Sequence, residues 1–110
     1  MDLSKVVTIA APERLDSASV DEFKAETQAA LASAKAMVID FSRTRFVDSV
    51  GLGALVSLLK NCSLPQRDVR LSLAALSPQV RQIFELTRLY RLFDIFDTKE
   101  QAYADLAGAS

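Results

Sequence analysis

Histidine is absent from the 110 residues, and cysteine occurs once, at Cys62. Without imidazole there can be no Ser-His-Asp or Cys-His nucleophile system, no imidazole acid–base catalysis and no zinc site that needs a His ligand. A lone thiol forms neither an internal disulfide nor a Cys-x-x-Cys redox or metal pair, and it suits a reduced, cytoplasmic setting. Glycine and proline, three of each, are too scarce for a linker. A basic excess is also missing. Thirteen Lys and Arg against 14 Asp and Glu leave a net charge of -1, which argues against a nucleic-acid partner. The longest apolar run, residues 50–59, is ten residues long and interrupted by Ser57, too short to cross a bilayer. The opening Met1-Asp2-Leu3-Ser4-Lys5 has neither the basic region nor the apolar core of a signal peptide. No membrane insertion is expected.

What is present is a folded chain, with 50% hydrophobic and 25% charged residues, too apolar for disorder. We expect one domain spanning residues 1–110. A chain of this size buries roughly 60–65% of its unfolded surface, enough for one modest core without metal or disulfide. Strand-like and helix-like segments alternate along it. Val6-Val7-Thr8-Ile9-Ala10 is a β-branched strand closed by Pro12. Ser19 and Glu22 have capping-box spacing, and Val20, Phe23, Thr27, Ala30, Leu31 and Ala34 then form one helical stripe. Met37-Val38-Ile39-Asp40-Phe41 reads as a strand in the middle of a sheet.

Residues 50–61 are apolar almost all round, which predicts a largely buried helix. Leu64-Pro65-Gln66-Arg67-Asp68 is a turn, and Val69-Arg70-Leu71-Ser72-Leu73 alternates as a strand with one buried face does. Ser77-Pro78 starts a helix whose inner stripe is Val80, Ile83, Phe84 and Thr87. Leu92-Phe93-Asp94-Ile95-Phe96 is a last strand, and residues 97–100 cap a terminal helix that buries Ala102, Tyr103 and Leu106. Four strands alternating with four helices define an α/β domain with a largely parallel sheet.

The segment Asp48-Ser49-Val50-Gly51-Leu52-Gly53 is the most unusual. Ser49 falls at the N-cap or in the first turn of a helix, and two glycines follow, each costing about 1 kcal/mol relative to alanine in a helix interior. Their presence calls for a bare backbone, either to pack closely on a neighbour or to admit a partner. A helix N-terminus favours an anionic group, and a phosphate on Ser49 would sit in that field. The plain alternative is that Ser49 is only a cap. The glycines form no dinucleotide loop, because Val56 holds the third position, and no Gly-Lys-Ser/Thr follows to make a P-loop.

Asp16, Asp40 and Asp48 end or follow strand-like segments. If brought together they could bind Mg²⁺ or polarise a hydroxyl; turn and cap roles are the simpler reading. Arg81, Arg88 and Arg91 make the third helix region basic, with Glu85 one turn from Arg81 and able to pair with it, so that a solvated face explains them. Cys62 ends a buried helix without an activating neighbour and should be inert.

Three blocks resemble the STAS domain of bacterial anti-sigma factor antagonists, in order and over residues 5–106. The first is Arg14-Leu15-Asp16-Ser17-Ala18-Ser19. The second, specific in its spacing, runs from Asp40 through Asp48-Ser49-Val50-Gly51-Leu52-Gly53 to Leu55. The third runs from Leu76-Ser77-Pro78 to Thr87. The resemblance implies a STAS fold, with a four- to five-stranded mostly parallel or mixed sheet and about four helices. It also implies a non-enzymatic antagonist that acts by partner switching. A GHKL-type serine kinase that doubles as the anti-sigma factor would phosphorylate Ser49 and thereby be released, and a PP2C-type phosphatase would reverse the step. The docking surface implied is Asp16, Asp48, Ser49, Val50, Gly51, Leu52 and Gly53. No cofactor or metal would belong to the chain, since ATP and Mg²⁺ belong to the kinase.

Four departures stand out. Val50 replaces a second hydroxyl that the family often has. Glu13-Arg14 replaces a common glycine, and Thr87-Arg88 replaces the usual Thr-Gly. A strand that usually precedes the one at Val6 has only residues 1–4 left to form it, which would leave one sheet edge curtailed or partner-covered. The alternative reading is a STAS accessory subunit or scaffold of a transporter ATPase or larger regulatory complex, with Ser49 unmodified. A nucleotide hydrolase would lack a phosphate-binding loop.

Overall fold

The computed structural model describes residues 1–108. The strands β1 (Val6–Ala10), β3 (Ala36–Asp40), β5 (Arg70–Ala74) and β6 (Asp94–Phe96) form one sheet in that order, every pair parallel. A second, two-stranded parallel ribbon pairs β2 (Arg14–Leu15) with β4 (Phe46–Val47). Helices α1 (Val20–Leu31), α2 (Ser49–Cys62) and α3 (Pro78–Leu86) make the successive crossovers, and α4 (Lys99–Ala107) closes the chain. Short 3₁₀ turns occupy Leu3–Lys5 and Leu89–Arg91. The α/β alternation expected from the pattern is what forms.

Strand order explains the layers. Each crossover steps in the same direction across the sheet, so right-handed connections put α1, α2 and α3 on one face. There Met37, Ile39, Phe41, Leu71 and Leu73 meet Phe23, Leu31, Leu55, Leu58, Val80 and Phe84 in the main core. Phe84 lies edge-on to Phe41 and Phe93, with centroids 6.5 and 5.9 Å away. The opposite face is smaller. Ala36, Val38 and Ala74 pack against Ala102 and Leu106 of α4.

That second layer corrects the reading of β5. Alternation at Val69-Arg70-Leu71-Ser72-Leu73 suggested one buried face, yet Ser72 and Ala74 are buried as fully as Leu71 and Leu73. Ser72 occupies the α4 side, and its hydroxyl has no hydrogen-bond partner among the described residues. The helix α2 is corrected in the other direction. It buries Gly51, Ala54, Leu55, Leu58 and Cys62, but Val50 stays 44% exposed and Leu52, Val56 and Leu59 are only half-buried. Part of its apolar surface therefore faces outward.

Helix starts follow the expected local chemistry at α3 and α4. Ser77 Oγ accepts the N–H of Val80, with Pro78 in the first turn, and Thr98 Oγ1 accepts the N–H of Gln101. The predicted Ser19–Glu22 capping box does not form. Ser19 Oγ turns back, donating to the carbonyl of Arg14 at 2.6 Å and accepting the N–H of Asp16 at 3.2 Å. The turn before α1 outcompetes the cap because those backbone groups have no ladder partner there.

Other contacts depart from expectation. Arg81 pairs with Asp97 at 3.1 Å instead of with Glu85, because β6 ends beside α3 and delivers a carboxylate across the chain. Thr87 is exposed and bonds back to the carbonyl of Ile83, ending α3 instead of lining its inner stripe. The residue after it, Arg88, has φ 61 and ψ 16, in the left-handed region. Glycine adopts that conformation freely, whereas an L-residue there costs about 1–2 kcal/mol.

Candidate functional site

Two short strands build the site. In the β2–β4 ribbon, Leu15 is in register with Val47, so the residues that follow, Asp16 and Asp48, leave the ribbon side by side. Cross-links hold the ribbon from both ends. The N–H groups of Arg45 and Phe46 reach the carbonyl of Glu13, and that of Asp48 reaches the carbonyl of Leu15. The buried hydroxyl of Thr44 donates to the carbonyl of Pro12 at 2.8 Å. On the outer side the Arg14 guanidinium sits 4.4 Å above the Phe46 ring.

Asp48 is the N-cap of α2, its Oδ1 accepting the N–H of Gly51 at 3.0 Å. Ser49 therefore stands at the first helical position, exposed, with no side-chain partner needed to start the helix. The first intrahelical bond runs from the Leu52 N–H to the Asp48 carbonyl. The N–H groups of Ser49 and Val50 lie ahead of it, at the positive end of the helix. Asp16, half-buried, is fixed separately. Its Oδ1 accepts the N–H of Ala18 at 3.0 Å, and its Oδ2 lies 3.3 Å from Arg14 Nε.

The two glycines differ sharply in surroundings. Gly51 is buried, and a Cβ built on it would lie 2.3 Å from the Leu15 carbonyl oxygen and 3.0 Å from both Leu15 Cγ and Val47 Cγ1. The first turn of α2 can rest on the ribbon only because this position has no side chain. Gly51 thus packs inward against the ribbon. Gly53 is exposed, with nothing within 4 Å of a Cβ built there. Exposed Ser49, Val50 and Gly53, with half-buried Leu52, make a smooth outer patch beside the Asp16 and Asp48 carboxylates.

Asp40 is not part of this cluster. It lies at the end of β3, where Oδ1 accepts the N–H of Ser42 at 2.9 Å and Oδ2 lies 3.8 Å from Lys99 Nζ on α4. Among the described residues no group of three or more Cys, Asp or Glu is placed to hold a metal ion. Cys62 is fully buried at the far end of α2, and burial pushes its thiol up to about 11, which removes the thiolate that reactivity needs. The ribbon was missed by sequence reasoning, since two-residue strands carry too little periodicity to register.

A parallel sheet with three helices on one face and a fourth on the other is a fold shared with STAS domains. The STAS domain family model matches residues 3–102, and the chain belongs to that family. A protein of Bordetella bronchiseptica named as an anti-sigma factor antagonist, BtrV, is 29% identical over 91 residues, covering 82% of this chain and 77% of that one. A crystal structure of a Thermotoga maritima protein, likewise named as an anti-sigma factor antagonist, superposes with a TM-score of 0.81 at 25% identity, over 96% of this chain and 88% of that one. The anti-sigma factor antagonist SpoIIAA of Bacillus shares the fold in two states. Its unphosphorylated form superposes with a TM-score of 0.79 at 24% identity, over 100% and 95% of the two chains. Its phosphorylated form gives 0.71 at 23%, over 96% and 95%. Among the described residues no helix is long and apolar enough to cross a membrane.

Proposed function

We propose that this chain is an anti-sigma factor antagonist that works as a phospho-switch, with Ser49 as the acceptor. The observation that carries the reading is the exposed Ser49 hydroxyl at the first position of α2, while Asp48 performs the capping. A serine needed as a cap would have its oxygen tied to the helix, whereas this one is free to be presented. SpoIIAA, solved in phosphorylated and unphosphorylated forms, supplies a precedent for phosphorylation within this fold.

In the unmodified state the patch of Ser49, Val50, Leu52 and Gly53 docks against a GHKL-type serine kinase that is also an anti-sigma factor, releasing its client. Gly51 sets the helix on the ribbon, and Asp16 and Asp48 flank the hydroxyl as orienting or contact groups. In the kinase reaction the Ser49 oxygen attacks the γ-phosphorus of ATP, the bond to ADP breaks, and the hydroxyl proton passes to a base of the kinase. ATP and Mg²⁺ are bound by the kinase, and this chain contributes no catalytic group. Phosphorylation adds about -1.5 to -2 charges. The helix N-terminus welcomes that charge, but Asp16 and Asp48 repel it, and burying it against a partner costs solvation. Binding is lost until a PP2C-type phosphatase hydrolyses the ester.

The test is incubation with ATP and the GHKL-type kinase encoded nearest the gene, followed by intact mass and site mapping. One phosphate on Ser49 is expected, with Ser49→Asp binding the kinase far more weakly than Ser49→Ala. Phosphate elsewhere, or none with a kinase that binds the protein, sinks the switch. Equal, tight binding by both variants would favour the accessory-subunit reading.

A further inference from the structure

We propose that the segment carrying Leu86, Arg88, Tyr90, Arg91 and Leu92 forms a second docking surface, which takes an acidic, apolar peptide segment of a partner protein. Large apolar side chains are usually scattered singly over a surface. Here three of them fall within seven residues, with Leu86 77%, Tyr90 45% and Leu92 53% exposed. Beside them lies a hollow of about 590 Å³. Phe84, Phe93 and Ile95 line it, and Arg81 and Glu85 stand at its edge. A hollow with an aromatic floor next to protruding apolar residues suits an inserted side chain.

Charge specifies the occupant. The other arginine at the hollow, Arg81, is already paired with Asp97 at 3.1 Å. Arg88 and Arg91 have no carboxylate within ion-pair distance among the described residues, and Arg91 meets only the Tyr90 ring at 6.0 Å. The Arg88 side chain is moreover held on a left-handed backbone, φ 61, which fixes the direction in which it leaves the end of α3. Two unpaired guanidinium groups flanking an apolar strip complement a segment with carboxylates around a large apolar residue. An anionic membrane fits less well. A concave floor lined by aromatic rings accepts an inserted side chain and does not match the broad face of a lipid surface.

The position separates this surface from Ser49. In a parallel sheet each crossover helix starts at the C-terminal ends of the strands and finishes at their N-terminal ends. The first turn of α2 is at one end of the sheet, and the α3 terminus with the 3₁₀ turn before β6 is at the other. A segment held by Leu86, Arg88 and Arg91, at the far end from Ser49, should therefore stay bound whether or not Ser49 carries phosphate.

A random phage-displayed peptide library is selected on the full chain, with counter-selection on the Arg88→Glu/Arg91→Glu double variant. Peptides with Asp or Glu around a large apolar residue are expected. Synthesised and titrated, they should bind about tenfold or more weaker to the double variant and to Leu86→Ser, but equally to wild type and Ser49→Asp. All three surface variants should match wild type in circular dichroism, because the substituted side chains are exposed. No enrichment, enrichment of basic peptides, or equal binding by the double variant would overturn the proposal. So would arginine-dependent co-sedimentation with phosphatidylserine/phosphatidylcholine vesicles without peptide binding, or self-association abolished by Leu86→Ser. Loss of peptide binding in Ser49→Asp would refute the independence of the two surfaces.

Discussion

Substituting alanine for each glycine of α2 should change stability in opposite directions. At Gly51 the new methyl group falls 2.3 Å from the Leu15 carbonyl oxygen and 3.0 Å from two further side-chain carbons. The first of these is backbone of the β2–β4 ribbon, which cannot rotate aside as a flexible side chain would. Either the ribbon or the start of α2 must move. Overpacking of this kind costs about 1–3 kcal/mol, and a backbone clash belongs at the upper end. Helix propensity returns at most about 1 kcal/mol, so Gly51→Ala should lose about 2 kcal/mol. At Gly53 there is nothing within 4 Å and φ is negative, so only the propensity gain remains and Gly53→Ala should gain about 0.5–1 kcal/mol.

Urea titration at constant m-value measures both differences directly, and the two proteins should lie on either side of wild type by several degrees in Tm. Binding to the kinase provides a second readout. Gly51→Ala should weaken it by displacing Asp48 and Ser49, and Gly53→Ala should weaken it despite higher stability, because a methyl now projects from the patch. A Gly51→Ala protein as stable as wild type would refute the packing argument. A destabilised Gly53→Ala would refute the assignment of that position to open surface.

Other perturbations follow from the same geometry. Asp48→Ala removes the acceptor for the Gly51 N–H and should cost about 1 kcal/mol in chemical denaturation, with Asp48→Ser recovering most of it. Ser72→Ala deletes a buried hydroxyl without a described partner, so stability should rise by about 1 kcal/mol; a loss of that size would reveal a bridging water. The folded Cys62 thiol, raised from 9.0 to about 11 by burial, contributes stability that is fully present below pH 9. That contribution should fade as pH rises from about 9 toward 11, because only the unfolded thiol ionises there. The stability difference between wild type and Cys62→Ala, followed over that range, should shrink with pH; a constant difference would contradict the burial argument.

Local signals are legible where a residue has one local use and no rival for it. Ser77 with Pro78, and Thr98, start helices as their chemistry requires, and the stripe of Val20, Phe23, Thr27 and Leu31 is buried as its spacing demands. Ser49 stands in the first turn of a helix, as its place before an apolar run predicts, and the cap belongs to Asp48. Expectation and structure part where a residue has competing partners, some local and some distant. Ser19 had two competing uses, and the choice between them depended on the turn at Arg14 and Asp16. Arg81 had a carboxylate four residues away, yet it met Asp97 only because β6 returns beside α3. β5 alternated like a strand with one wet face, and α4, arriving from more than twenty residues later, covered that face.

By itself the sequence determined the order of strands and helices, the absence of histidine chemistry and paired thiols, and a serine at the start of an apolar helix flanked by aspartate and glycine. These rest on residue type and on periods of two and 3.6, which any window of the chain contains. Tertiary structure alone decided that Asp16 and Asp48 stand together, that Gly51 serves packing while Gly53 serves the surface, and that β5 is buried on both sides. Each of those outcomes depends on two segments brought together by strand pairing. The register of Leu15 with Val47 and the return of α4 are properties of the assembled sheet, which no local run of residues encodes.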